Sequence, residues 1–74
     1  MTTKAIFKEG PFDQVEETLE GQPPIYRIRE TFQNDEKGLR YDVHQYDRAP
    51  GEFKESDLVP YHHTGIVEQV NKTF

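Results

Sequence analysis

The sequence predicts a mainly β fold, a single antiparallel sheet of about four strands with one short helix or loop across a face, so that a small α+β domain is the alternative. Three observations carry this. Two alternating segments, Pro24-Ile25-Tyr26-Arg27-Ile28-Arg29-Glu30 and Leu39-Arg40-Tyr41-Asp42-Val43-His44-Gln45-Tyr46, flank the turn-forming run Gln33-Asn34-Asp35-Glu36-Lys37-Gly38 and read as a β-hairpin. Glycine and proline punctuate the rest of the chain into short segments. Four Tyr and five Phe supply the bulk that a hydrophobic fraction of only 32% otherwise lacks.

Taken in order, Thr3-Lys4-Ala5-Ile6-Phe7-Lys8 predicts a first strand, placed at a sheet edge where its lysines guard against foreign pairing, and Glu9-Gly10-Pro11 stops it. The next segment carries two patterns. Phe12, Val15 and Leu19 fall at i, i+3 and i+7, Asp13 and Glu16 form a capping-box pair, and Gly21, Pro23 and Pro24 supply a stop, which together predict a two-turn helix. Val15, Glu17 and Leu19 also alternate as a strand would, and so short a helix needs tertiary packing. In the hairpin, Tyr26 and Ile28 share one face, as do Leu39, Tyr41 and Val43, leaving the other face wet. Arg48 to Ser56 is a polar loop with a Pro50-Gly51 turn, tacked down by Phe53. Asp57 to Val70 reads as one long strand or two short ones, with Pro60 tolerated at an edge or bulge and Gly65 at a bend, pairing with the Tyr41 strand.

Seventy-four residues make one domain, residues 1–74, and so short a chain buries only about 60% of the surface its unfolded form exposes. With no cysteine, neither a disulfide nor a thiolate zinc site can reinforce it, which suits a reducing cytoplasm. A homodimer or a bound partner is the remaining source of stability. Fourteen acidic against nine basic residues, net charge −5, disfavour direct binding to nucleic acid or to an anionic membrane and suit a partner protein with a basic surface. The same charge also serves plain solubility. No segment has the apolar length of a signal peptide or a membrane span.

Lys4-Ala5-Ile6-Phe7-Lys8-Glu9-Gly10-Pro11, the tyrosine-bearing middle strand, and Leu58-Val59-Pro60-Tyr61-His62-His63-Thr64-Gly65-Ile66-Val67-Glu68 resemble a family of small bacterial proteins without an assigned function. Its members run a first strand into a Gly-Gly-Pro turn and close on an Ile-Ala-Glu type segment; here those positions read Glu9-Gly10-Pro11 and Ile66-Val67-Glu68, and Gln14 to Pro24 has no counterpart. The resemblance implies a small sheet-based fold and transfers no catalytic residue or cofactor.

Three constellations bear on function. His44, His62 and His63 lie on neighbouring strands, but adjacent strand residues face opposite ways, so His62 and His63 join His44 together only across a bulge. With a carboxylate such as Asp42 or Asp57 they could hold a divalent metal, yet a place on the solvent face of the sheet explains them as well, and neither a metal nor a cofactor is assigned. Tyr46 shares a face with His44 and is a candidate binding residue if that face is concave. Arg27, Arg29 and Arg40 are expected on one face, as cross-strand ion pairs or an anion site. Paired carboxylates such as Glu16-Glu17 fall in solvated segments without a dry cavity, and Ser56 is the only serine. These features favour a non-enzymatic interaction or accessory module, with Glu16, Glu17, Arg27, Arg29, Arg40 and Tyr46 as binding residues. The alternative is a small oligomeric enzyme using His44, Tyr46 and His62 or His63 at a subunit interface, in which His44 could be removed without loss of the fold.

Overall fold

The computed structural model describes residues 1–74. Five strands, β1 (Thr2–Lys8), β2 (Glu16–Glu20), β3 (Ile25–Asp35), β4 (Gly38–Arg48) and β5 (Leu58–Thr73), form one mixed sheet in the order β2-β1-β5-β4-β3. The mainly β expectation holds, with three corrections. The sheet has five strands, β1 runs parallel to β5 while the other pairs are antiparallel, and the only helical element is a 3-10 turn over Gly10–Phe12.

The predicted helix after Phe12 is instead β2. Its alternation decides the matter: Leu19 pairs with Thr3 and is buried, and Glu17 pairs with Ala5, so both patterned residues reach the inner face only as a strand. As a strand the segment gains a five-residue backbone ladder with β1, which a two-turn helix, marginal without tertiary packing, would leave unmade. β2 in turn displaces β1 from the edge, so Lys4 and Lys8 lie on an interior strand rather than guarding an open one.

Thr3, Ala5 and Phe7 of β1 point inward with Val59 and Tyr61 of β5, the register partners of Ala5 and Phe7, and all five are buried. Phe7 is the centre of an aromatic cluster, with ring centroids 4.9 Å from Tyr46, 5.8 Å from Tyr26 and 6.1 Å from Tyr61. Such pairs contribute about 0.5–1.5 kcal/mol each beyond the area they bury. The core face of β4 is therefore that of His44 and Tyr46, not the expected Leu39, Tyr41 and Val43 face. Tyr41 is covered from outside instead, by the Arg29 guanidinium 3.9 Å from its ring centroid and by Glu68, whose carboxylate its hydroxyl meets at 3.4 Å.

The sheet is curled into a half-barrel. In a flat sheet β2 and β3 would lie about 19 Å apart, yet the Tyr26 hydroxyl donates to Glu17 Oε1 at 3.1 Å, so side chains close the gap between the two edge strands. Tyr61 Oη donates to the Pro23 carbonyl at 2.6 Å and Arg48 to that of Gln22 at 2.7 Å, fastening the β2–β3 connection beneath the barrel. Phe53 packs on the same cluster, as its isolated position in a polar loop predicted.

The curled part uses only one end of the long strands. β1 pairs with β5 from Leu58 to His62, whereas β4 pairs with β5 from Tyr61 to Thr73. Beyond His62 the molecule is a three-stranded arm, β3-β4-β5, which stretches it to 46 Å along its longest axis. The hairpin at the arm's tip turns on Glu36 and Lys37, shorter than the predicted turn, because Asp35 Oδ1 accepts the Lys37 and Gly38 amides at 2.8 and 3.1 Å.

Candidate functional site

Two register shifts in the β4–β5 ladder build the polar part of the inner face. Val43 pairs with Glu68 but His44 with Ile66, and Gln45 pairs with Gly65 but Tyr46 with His63, so β5 carries an extra residue at Val67 and another at Thr64. Gly65, at φ +140°, lies between them, in a backbone conformation side-chain-bearing residues rarely adopt. The result sets His63 directly across from Tyr46 and close to His44, while His62 turns to the opposite, exposed face beside Asp47. Of the four histidine and tyrosine residues singled out in the sequence, the fold gathers three and leaves His62 out.

His44 is buried and fully engaged. Its Nε2 lies 3.0 Å from Glu30 Oε1 on β3 and its Nδ1 lies 2.9 Å from His63 Nε2. A carboxylate only accepts, so Glu30 selects the His44 tautomer with the proton on Nε2; Nδ1 then accepts, and His63 donates from its Nε2. The chain thus leaves the other His63 nitrogen, Nδ1, as a lone pair on a half-buried ring at the end of the relay. Phe12 presents its edge to His44 with ring centroids 6.2 Å apart, capping it from the 3-10 turn. With both nitrogens bonded and the ring in the interior, His44 is a structural residue, which corrects the expectation that it can be removed without loss of the fold.

Tyr46 is likewise core, so its placement as an accessible binding residue is corrected. It is fully buried, its hydroxyl donates to the Glu9 carbonyl at 2.8 Å and accepts the Phe12 amide at 3.3 Å. Burial pushes its phenol above the ordinary 10.0, and nearby Asp13 and Glu30 carboxylates push the same way, against the Phe12 amide. Gly10 makes this closure feasible: at φ +69°, a Cβ there would lie 2.7 Å from the His63 ring and 2.8 Å from Tyr46 Oη. The alternation of β4 identified neither this contact nor Glu30 as the carboxylate of the relay, because both depend on residues distant in sequence.

Glu30, Asp42 and His44 are the residues that could hold a metal ion, one donor atom from each lying within 4.8 Å of the others. Asp42 sits directly across from Glu30 and accepts the Gln69 side-chain amide at 3.3 Å. An ion there would take the His44 nitrogen that Glu30 now holds.

The arginines divide. Arg27 and Arg29 share the outer face with Gln45 and Val43, whereas Arg40 shares the inner face with Asp42, its guanidinium 5.5 Å from the Phe32 ring centroid. The expectation that all three share one face is therefore corrected: Arg29 pairs with Val43, and the alternation of β4 from Val43 to Arg40 puts Arg40 on the other side of the sheet. Glu16 and Glu17 are adjacent on β2 and both exposed, with Glu17 engaged by Tyr26.

The remaining feature is the arm. Its inner face carries an open groove of about 280 Å³ lined by Phe32, Arg40, Asp42, Gln69, Val70 and Asn71. Along the arm, Phe32, Ile66, Val67 and Phe74 are 47–71% exposed. Past His62, β5 has a neighbour on one side only. The Phe74 amide donates to the Lys37 carbonyl at 2.9 Å, so in this register the even-numbered residues turn their backbone groups toward β4, and Gln69, Asn71 and Thr73 turn theirs outward. Edge status follows from the order of strands, which no single segment's pattern encodes. No helix is long and apolar enough to cross a membrane.

No family model, no curated protein and no solved structure matches this chain.

Proposed function

We propose that this protein is a small acidic, non-enzymatic interaction module that binds another polypeptide by adding its strand to the free edge of β5. The observation that carries this is the outward row of backbone donors and acceptors at Gln69, Asn71 and Thr73, on a strand flanked by exposed Ile66, Val67 and Phe74. Main-chain pairing supplies affinity in such augmentation, and side chains on the arm supply selectivity. Natural sheets blunt their edges with charge, and here the edge strand β2 carries Glu16, Glu17 and Glu20 in five residues while the far half of β5 carries only Glu68 and Lys72, of opposite sign.

Proline substitution separates the two sides of β5. Asn71→Pro removes an outward amide and should abolish stoichiometric complexes seen by native mass spectrometry of gently recovered protein, with the fold retained. Val70→Pro removes an amide of the β4 ladder and should destabilise the domain by about 3 kcal/mol in urea titration. A complex that survives Asn71→Pro unchanged would remove the edge from consideration. The acidic pair Glu16 and Glu17 is a second contact surface for a basic partner; replacing both by lysine should weaken binding without altering the β5 requirement.

The alternative, a small oligomeric enzyme, has in its favour the Glu30–His44–His63 chain, which ends in an accessible imidazole nitrogen. It is the weaker reading because the groove on the inner face lies along Asp42 and Asn71 rather than at His63.

A further inference from the structure

The open part of β5 with the residue after it, from Thr64 to Phe74, contains Glu68 and Lys72 as its only charged side chains, so their charges cancel in a chain of net charge −5. The two charges lie symmetrically about Val70. That symmetry matters because an antiparallel pair of identical strands is related by a twofold axis, so each residue faces a position fixed by where the axis falls.

Twofold axes at Gln69, Val70 and Asn71 centre the pairing on the outward backbone groups of Gln69, Asn71 and Thr73, whereas an axis at Glu68 or Lys72 sets like charges against each other. With the axis at Gln69, Glu68 faces Val70; with the axis at Asn71, Val70 faces Lys72 and Glu68 faces Phe74. Both set charge against apolar surface. With the axis at Val70, valine faces valine, and each Glu68 faces a Lys72. In this register Gln69 and Asn71 of opposite copies exchange backbone hydrogen bonds. Val70, Glu68 and Lys72 then occupy the non-hydrogen-bonded positions, where side chains approach most closely. β1 ends opposite His62, and in this register Phe74 of the second copy lies opposite Ile66, so β1 does not obstruct it.

Resting on the strand-addition reading above, we infer that the strand added to β5 is the β5 of a second copy of this chain, paired antiparallel about a twofold axis at Val70 with reciprocal Glu68–Lys72 pairs. Two three-stranded arms then become one six-stranded sheet, and the edge is removed rather than guarded.

The chain has no cysteine, so single-cysteine variants report the register directly. Val70→Cys places two thiols across a non-hydrogen-bonded pair with Cα atoms about 4.5 Å apart, within the range a disulfide spans. The variant should oxidise to a covalent dimer, whereas Asn71→Cys, facing Gln69 of the other copy, should remain reducible monomer on a denaturing gel. Sedimentation equilibrium of the unmodified chain should show a dimer. Glu68→Lys should weaken it about tenfold, and the double exchange Glu68→Lys with Lys72→Glu should restore it. Equal cross-linking of both cysteine variants, or a dimer indifferent to Glu68→Lys, overturns the inference. A chain that is monomeric up to submillimolar concentration also overturns it; if that monomer still captures a different protein in a manner lost on Asn71→Pro, strand addition stands and only the second copy is refuted. A monomer with no such capture overturns both.

Discussion

Thr3 stands in the core beside Leu19 with its hydroxyl buried and unpaired, a cost with no compensating bond. Valine has the same shape and no donor to satisfy. Thr3→Val should therefore stabilise the domain by about 1 kcal/mol, read as a rise in thermal midpoint, and a fall would mean that the hydroxyl has a partner in solution. His44 gives the opposite case. It is as deeply placed, but both nitrogens are bonded, to Glu30 and His63. Alanine there removes a buried ring and strands two polar partners, so His44→Ala should cost about 2–4 kcal/mol in urea titration. The sequence marked His44 and His63 as residues of interest because they fall on strands expected to be neighbours; it could not distinguish a surface pair from a buried relay, because that depends on which face of β4 the half-barrel covers.

Among the elements, the 3-10 turn at Gly10–Phe12 is the smallest and the most constrained. It lays its backbone on Tyr46 Oη and His63, and Gly10 is the position where a side chain has neither room nor an accessible conformation. Gly10→Ala should destabilise by about 1–3 kcal/mol and should also perturb the His63 ring resonances, whereas Gly51→Ala, with open space around it, should leave those resonances in place. Glycine and proline at this turn were legible as a strand stop. The hairpin, the pairing of β4 with β5, and the bend at Gly65 were legible too, since alternation and turn chemistry are local. β2 was not, because Phe12, Val15 and Leu19 satisfy a helical spacing and a strand spacing at once. Only the presence of β1 alongside, with Thr3 and Ala5 to pair against, selects between them.

For the molecule as a whole, stability is concentrated in one tyrosine-rich barrel end. Burial raises the phenols of Tyr46 and Tyr61 above 10.0, since it penalises the charged phenolate. The folded state then holds these protons more tightly than the unfolded chain. Their contribution is complete below pH 10.0 and is lost as pH rises from there through the folded values. Urea stability should be level up to about pH 9.5 and fall steeply above it, with phenolate absorbance appearing together with unfolding; absorbance that rises well before unfolding would show these hydroxyls open to solvent.

By itself the sequence determined a cysteine-free, acidic, aromatic-cored β domain with a hairpin at its centre, because composition, charge and period-2 alternation are properties of residues and their near neighbours. Tertiary structure alone decided that β1 lies parallel to β5 inside the sheet, that the His44 and Tyr46 face is the buried one, that Arg40 parts from Arg27 and Arg29, and that β5 runs on past its neighbour to leave an open edge. Each of these depends on which distant segments meet, in which direction and with which bulges. The free energy that settles them comes from joint burial around Phe7, to which β1, β3, β4 and β5 all contribute and which no one segment contains.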